Sequence, residues 1–152
     1  MKTIYELLCN DAIRWSVMAI IIFAITFLFK YPYKKFLTDR IKDEKKRKLA
    51  NKAIVVFTLA LGILLELLWC CWSGFAFTEV EFGLGLRNAL SAIAIYSALE
   101  LKTQGAIDNP FDNKDSQEVI TNANQLVTKI SKDGKVDEKD LTAVQEFWDK
   151  VK

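Results

Sequence analysis

Histidine is absent from the chain, which removes the commonest general base and the commonest metal ligand of proteins. No Ser/His/Asp or Cys/His set can be assembled without it. Cysteine is scarce. Cys9, Cys70 and Cys71 are odd in number and show no C-x-x-C spacing, so neither a disulfide framework nor a zinc site is indicated. Glycine is sparse too, and Gly83-x-Gly85 lacks the third glycine of a dinucleotide fingerprint and lies in an apolar stretch. No enzyme class is indicated, and no cofactor or metal is expected.

Also missing is an even spread of charge. Hydrophobic residues make up 51% of the 152 and charged residues 26%, and the two are segregated rather than interleaved. A soluble domain alternates them at helical or strand period, whereas a membrane protein separates them. The apolar blocks are 12–29 (AIRWSVMAIIIFAITFLF), 53–73 (AIVVFTLALGILLELLWCCWS) and 82–99 (FGLGLRNALSAIAIYSAL). The first, 18 residues long, would rise about 27 Å as a helix, close to a hydrocarbon core. Its late start, the lone early positive charge at Lys2 and the lack of a small-x-small cleavage site read as an uncleaved anchor rather than a signal peptide.

The net charge of +2 hides an asymmetry. Segment 30–52 has ten Lys or Arg against three acids, +7, while 103–152 has seven Lys against ten acids, −3. A basic run between two apolar blocks reads as a membrane-flanking loop, not a nucleic-acid site. Pro32 is expected to end the first helix, and LTDRIKDEKKRKLANK to form a short amphipathic helix on the headgroups. Lys34, Lys35, Arg40, Lys45, Lys46, Arg47 and Lys48 are the candidates for contact with anionic lipid; a pure topology determinant is the plainer reading of the same charges. Positive residues in short loops favour the cytoplasm, which puts the amino terminus and residues 74–81 outside and the tail inside. Aromatic belts at Trp15, Trp69 and Trp72 on one side and Tyr31, Tyr33 and Tyr96 on the other agree with that arrangement.

The predicted fold is therefore all-α: a membrane domain over 1–102 with three transmembrane helices, a linker over 103–115 and a small cytoplasmic helix–turn–helix over 116–152. In the tail, Val119, Ile120, Ala123, Leu126, Val127 and Ile130 form one apolar stripe, and Leu141, Val144, Phe147, Trp148 and Val151 another. So small a hairpin needs a partner, either another subunit or the basic loop. Phe147 and Trp148 are the candidate contacts for a cytoplasmic protein. KISKDGKVDEKD has the outline of a calcium loop, but Lys129 stands at the leading ligand position and Asp140 at the last, where a Glu is usual. A turn at Asp133-Gly134 that binds no metal is the favoured reading. Cys70 and Cys71 read as small apolar filler, with palmitoylation as the sharper alternative.

Two charges interrupt the apolar blocks. Glu66 lies seven residues before the end of the second, and Arg87 is about as far into the third from the same side. Both would sit about 10 Å deep, level with one another in an antiparallel pair. An intramembrane Glu66–Arg87 ion pair follows as an expectation, either clamping the hairpin or facing a pore. Gly83, Gly85, Asn88 and Ser91 are the candidate helix-contact or pore residues of the third block, small or polar enough for close approach or water.

The outline of residues 12–102, spanning helices with short connections followed by a charged tail, resembles small phage-encoded membrane proteins of the holin type. That resemblance implies a homo-oligomer in the bacterial inner membrane that, on a trigger, permeabilises it and releases or activates a cell-wall hydrolase. The tail is longer than in many holins, which leaves room for the alternative of a membrane anchor or scaffold whose tail recruits a partner. A small transporter or channel subunit is a third possibility.

Overall fold

The structure, a computed structural model, describes residues 10–36, 41–103, 109–130 and 138–151. Among them the chain is entirely helical: α1 Asp11–Phe36, α2 Glu44–Ser73, α3 Glu79–Lys102, α4 Lys114–Ile130 and α5 Glu138–Val151. The first three are long and apolar enough to cross a membrane.

Local chemistry sets the helix ends. Asn10 offers its side-chain oxygen to the Ile13 N–H at 3.4 Å. Asp43 caps α2 by accepting from the Lys45 N–H at 3.0 Å, satisfying a donor that the first turn leaves orphaned. Gly74 closes α2 at φ 73°, and its N–H returns to the Cys70 carbonyl. The left-handed conformation there suits glycine because no Cβ is crowded. The Glu81 carboxylate accepts from the Thr78 N–H at 3.2 Å and opens α3. Asn113 does the same for α4 through the Ser116 N–H at 2.9 Å.

Two boundaries differ from the sequence expectation. Pro32 does not end α1, which runs on to Phe36 with the proline inside it. Proline forfeits one backbone bond there, but the last turns are pinned to α2. Phe29 stacks on Phe57 with centroids 4.5 Å apart, and the Tyr33 hydroxyl donates to the Ala50 carbonyl. The basic segment is likewise not a separate helix from Glu44 onward. Residues 44–52 are the first turns of α2, continuous with its apolar block, because they are strong helix formers with no Gly or Pro to interrupt them.

The three long helices pack as a bundle in which α3 touches both α1 and α2. Met18, Ala19, Ile22 and Thr26 form the buried face of α1, while Ile20, Ile21, Ile25 and Leu28 face outward. Where α2 crosses α3, Gly62 and Gly85 meet backbone to backbone, a small-residue crossing of the kind that lets membrane helices approach closely.

The tail is joined to this bundle. Val119, Ala123, Leu126 and Val127 of α4 share one buried cluster with Ile54, Val55 and Leu59 of α2 and Ile93 and Tyr96 of α3. Phe111, in the segment read as a linker, is fully buried in that cluster and meets Tyr96 edge-on at 5.2 Å. Asn109 bonds Glu100 at 3.0 Å and Ser97 at 3.3 Å. Ser116 donates to the Asn51 carbonyl at 3.0 Å, and Lys52 pairs with Glu118 at 3.7 Å. The second tail helix, α5, packs on α4 through Ala143 and Phe147.

Candidate functional site

The face that α2 turns inward carries Thr58, Gly62 and Glu66 in steps of four, all buried. Residues four apart stack on one side of a helix, so an otherwise apolar helix presents a hydroxyl, a bare backbone and a carboxylate in line. Opposite, α3 presents Gly85, Asn88, Ala89, Ala92 and Tyr96, also buried. Glu66 is 0% exposed, and its Oε1 accepts a hydrogen bond from Asn88 Nδ2 at 2.8 Å. Eight residues along α2, about 12 Å by helical rise, Thr58 Oγ1 donates to the Ile54 carbonyl at 2.9 Å and stands 3.5 Å from Thr26 Oγ1 of α1. These groups form a polar seam inside the three helices. Nearer the α2–α3 turn, the Arg14 guanidinium lies 5.6 Å over the Trp69 ring.

Arg87 points elsewhere from its neighbour Asn88. It is exposed and lines a groove of about 430 Å³ between α1 and α3, together with Trp15, Ser16, Ile20, Ser91 and Ile95. The described geometry thus joins Glu66 to Asn88 and sets Arg87 and Ser91 on the outer surface of α3. Of the candidate helix-contact residues, Gly85 is at the crossing and Gly83 is buried. Gly62 and Thr26, the partners of Gly85 and Thr58, were not legible as site residues. The available signal was the spacing of Gly62 four residues before Glu66.

The aromatic belts differ from expectation. Trp15 and Trp72 are exposed, but Trp69 is buried under Arg14. Tyr96 is buried among Phe23, Phe27 and Phe111, with Lys30 Nζ 5.9 Å from its ring. Tyr96 thus lies on the inward face of α3. Burial also pushes the Tyr33 phenol above its ordinary range.

Lys45, Lys46, Arg47 and Lys48 are exposed on the first turns of α2, and Lys48 makes an exposed pair with Glu44 at 3.2 Å. Lys34 and Lys35 belong to the last turn of α1, while their side chains, Arg40 and the calcium-like stretch 131–137 lie outside the described residues. Among the described residues no cluster of Cys, Asp and Glu could hold a metal ion. In the tail, Phe147 packs inward against α4 while Trp148 is 47% exposed. Comparison of the chain with protein-family models, curated proteins and solved structures finds no match.

Proposed function

We propose that the chain is an integral membrane protein of the bacterial inner membrane, with its amino terminus outside and its tail in the cytoplasm, that assembles with copies of itself and permeabilises the bilayer in the manner of a holin. The observation that carries this reading is the buried seam of Glu66, Asn88, Thr26 and Thr58. A helix bundle that only anchors a protein needs no carboxylate at its centre, and an ionisable side chain at bilayer depth marks function by default. In the single chain the seam is closed within three helices. Re-pairing the helices between copies would turn the same side chains toward a shared, water-filled lumen, where their hydration offsets the lost contacts. The orientation rests on the +7 segment 30–52 and the positive-inside rule.

The test is inducible expression in a bacterium, following membrane potential with a voltage-sensitive dye. Abrupt depolarisation that Glu66→Gln or Asn88→Ala delays or abolishes supports the reading. Unchanged potential at high membrane abundance overturns it.

A second reading, a membrane platform that recruits a cytoplasmic protein, is favoured by one observation. Val144 and Trp148 are exposed on α5, which packs on α4. Removing residues 138–152 or changing Trp148 to Ala would then end function without disturbing insertion. Because α4 is part of the common core, the informative deletion spares it.

A further inference from the structure

The groove between α1 and α3 has an organisation that neither reading uses. Trp15 and Leu84 lie at its end nearest the α2–α3 turn, Ser16 and Arg87 come next, and Ile20 and Ile95 lie deepest. Its cation lies toward one end, and the rest is mostly apolar, with Asn88 and Ser91 of α3 the polar residues along it. From Leu84 to Ile95 is eleven residues of α3, about 16 Å by helical rise. That is close to the depth of one leaflet, half of a hydrocarbon core of about 30 Å. A cation flanked by a hydroxyl, in the upper part of a mostly apolar groove whose whole length is about one leaflet, matches a phospholipid. A free anion would use the cation and leave the channel empty, and an apolar helix would cover the channel while burying Arg87 at a cost.

We propose that this groove binds one anionic phospholipid of the leaflet facing the α2–α3 turn. The phosphate takes hydrogen bonds from Arg87 and Ser16, and one acyl chain lies along Ala19, Ile20 and Ile95. The guanidinium is long enough to reach up toward the headgroup level, as cationic side chains near helix ends do, and its planar fork suits a phosphate. The proposal rests on the chain being inserted in a bilayer, and not on its forming a pore.

Trp15, on the groove wall and 40% exposed, reports on it. The full chain is reconstituted in phosphatidylcholine vesicles containing phosphatidylglycerol. Brominated acyl chains, which quench tryptophan on contact, are placed on one lipid or the other, and the same measurement on Trp15→Phe isolates the Trp15 signal. The expected result is that Trp15 senses phosphatidylglycerol over phosphatidylcholine by about five-fold, the worth of one cationic side chain at an anionic group. Arg87→Gln removes the preference and Arg87→Lys keeps part of it. Ser91→Leu, which fills the groove without touching the charge or adding an emitter, lowers quenching by both lipids while circular dichroism stays unchanged. Equal quenching by the two lipids, or a preference that survives Arg87→Gln, overturns the proposal. So does efficient chain-to-chain cross-linking of a Ser91→Cys variant, which would show a second copy in the groove. If neither lipid quenches any tryptophan, the chain is not inserted, and it is the membrane reading that has failed.

Discussion

Gly62 and Gly85 approach so closely that a Cβ on Gly62 would stand 2.2 Å from the Gly85 carbonyl oxygen and 2.9 Å from the Ala89 Cβ. The obstacle is backbone, which cannot rotate away. Gly62→Ala must therefore push α2 off α3, and the separation stretches the Asn88–Glu66 bond one turn further along. Overpacking of this kind costs about 1–3 kcal/mol or more. Gly85→Ala meets the Ile63 Cα at 2.8 Å and should behave alike. Gly74→Ala has open space but φ 73°, so only left-handed strain of about 1–2 kcal/mol applies. Unfolding in detergent titrated with a denaturing surfactant should rank both crossing variants at or below Gly74→Ala. Wild-type stability in Gly62→Ala would mean that the helices do not cross there.

The Asn88–Glu66 hydrogen bond predicts an asymmetry between its partners. Asn88→Ala leaves a fully buried carboxylate without its amide donor and should cost about 1–2 kcal/mol, within the range for polar bonds between membrane helices. Glu66→Gln keeps an acceptor for Asn88 and should be milder. A double-mutant cycle with Glu66→Leu measures the coupling; a value near zero would remove the bond from the account. The Glu66–Arg87 ion pair is checked in the same assay. If single reversals (Glu66→Arg, Arg87→Glu) both damage stability and their combination restores it, the two charges interact; harmless single changes dispose of the pair.

Three apolar helices were legible because their blocks are long and nearly free of charge, a signal that needs no tertiary information. The buried side chains were not. Tyr96 and Trp69 carry the composition of an interfacial belt, yet each falls on the inward face of its helix, and only the packing of α1 and α3 decides that. The local rule for proline predicts a helix end at Pro32, and the aromatic contact of Phe29 with Phe57 outweighs that rule. The docking of the tail was illegible for another reason. The α4 stripe is periodic, but nothing in the sequence says which surface it covers, and Phe111 is a single aromatic residue in a turn-rich segment with no periodicity to mark it. Arg87 and Asn88 are adjacent in sequence, so their division between groove and seam follows from helical geometry, but which of the two turns inward depends on where α2 lies.

Cys71 offers a direct check on orientation. It is exposed near the end of α2, one residue from Trp72, while its neighbour Cys70 is buried. With Cys9 changed to Ser and Cys70 to Ala, a membrane-impermeant maleimide added to intact cells (outer membrane permeabilised where there is one) should label Cys71. Labelling that appears only after the inner membrane is opened would invert the proposed topology, leaving the basic segment outside against the positive-inside rule.

Phe111 should act as the bolt between tail and bundle. It is 0% exposed, and its removal opens a cavity beside Tyr96 that costs about 3–5 kcal/mol when surrounding groups cannot collapse. The loss should fall unevenly. The three long helices keep the Gly62–Gly85 crossing and the Glu66–Asn88 bond, which lie beyond the tail contacts. The fourth helix loses the residue that ties its start to α3 and keeps its Val119, Ala123, Leu126 and Val127 stripe, the Ser116–Asn51 bond and the Lys52–Glu118 pair, of which an exposed pair contributes little. Limited proteolysis of Phe111→Ala in membranes should therefore release fragments cut within residues 103–137 at doses that leave the parent chain intact. The membrane-embedded remainder should stay in the pellet. If the variant resists protease as the parent does, the buried stripe of α4 holds the tail without Phe111. Simultaneous loss of the embedded fragment would mean that tail and bundle fold as one cooperative unit, and would sink the idea of a separable tail.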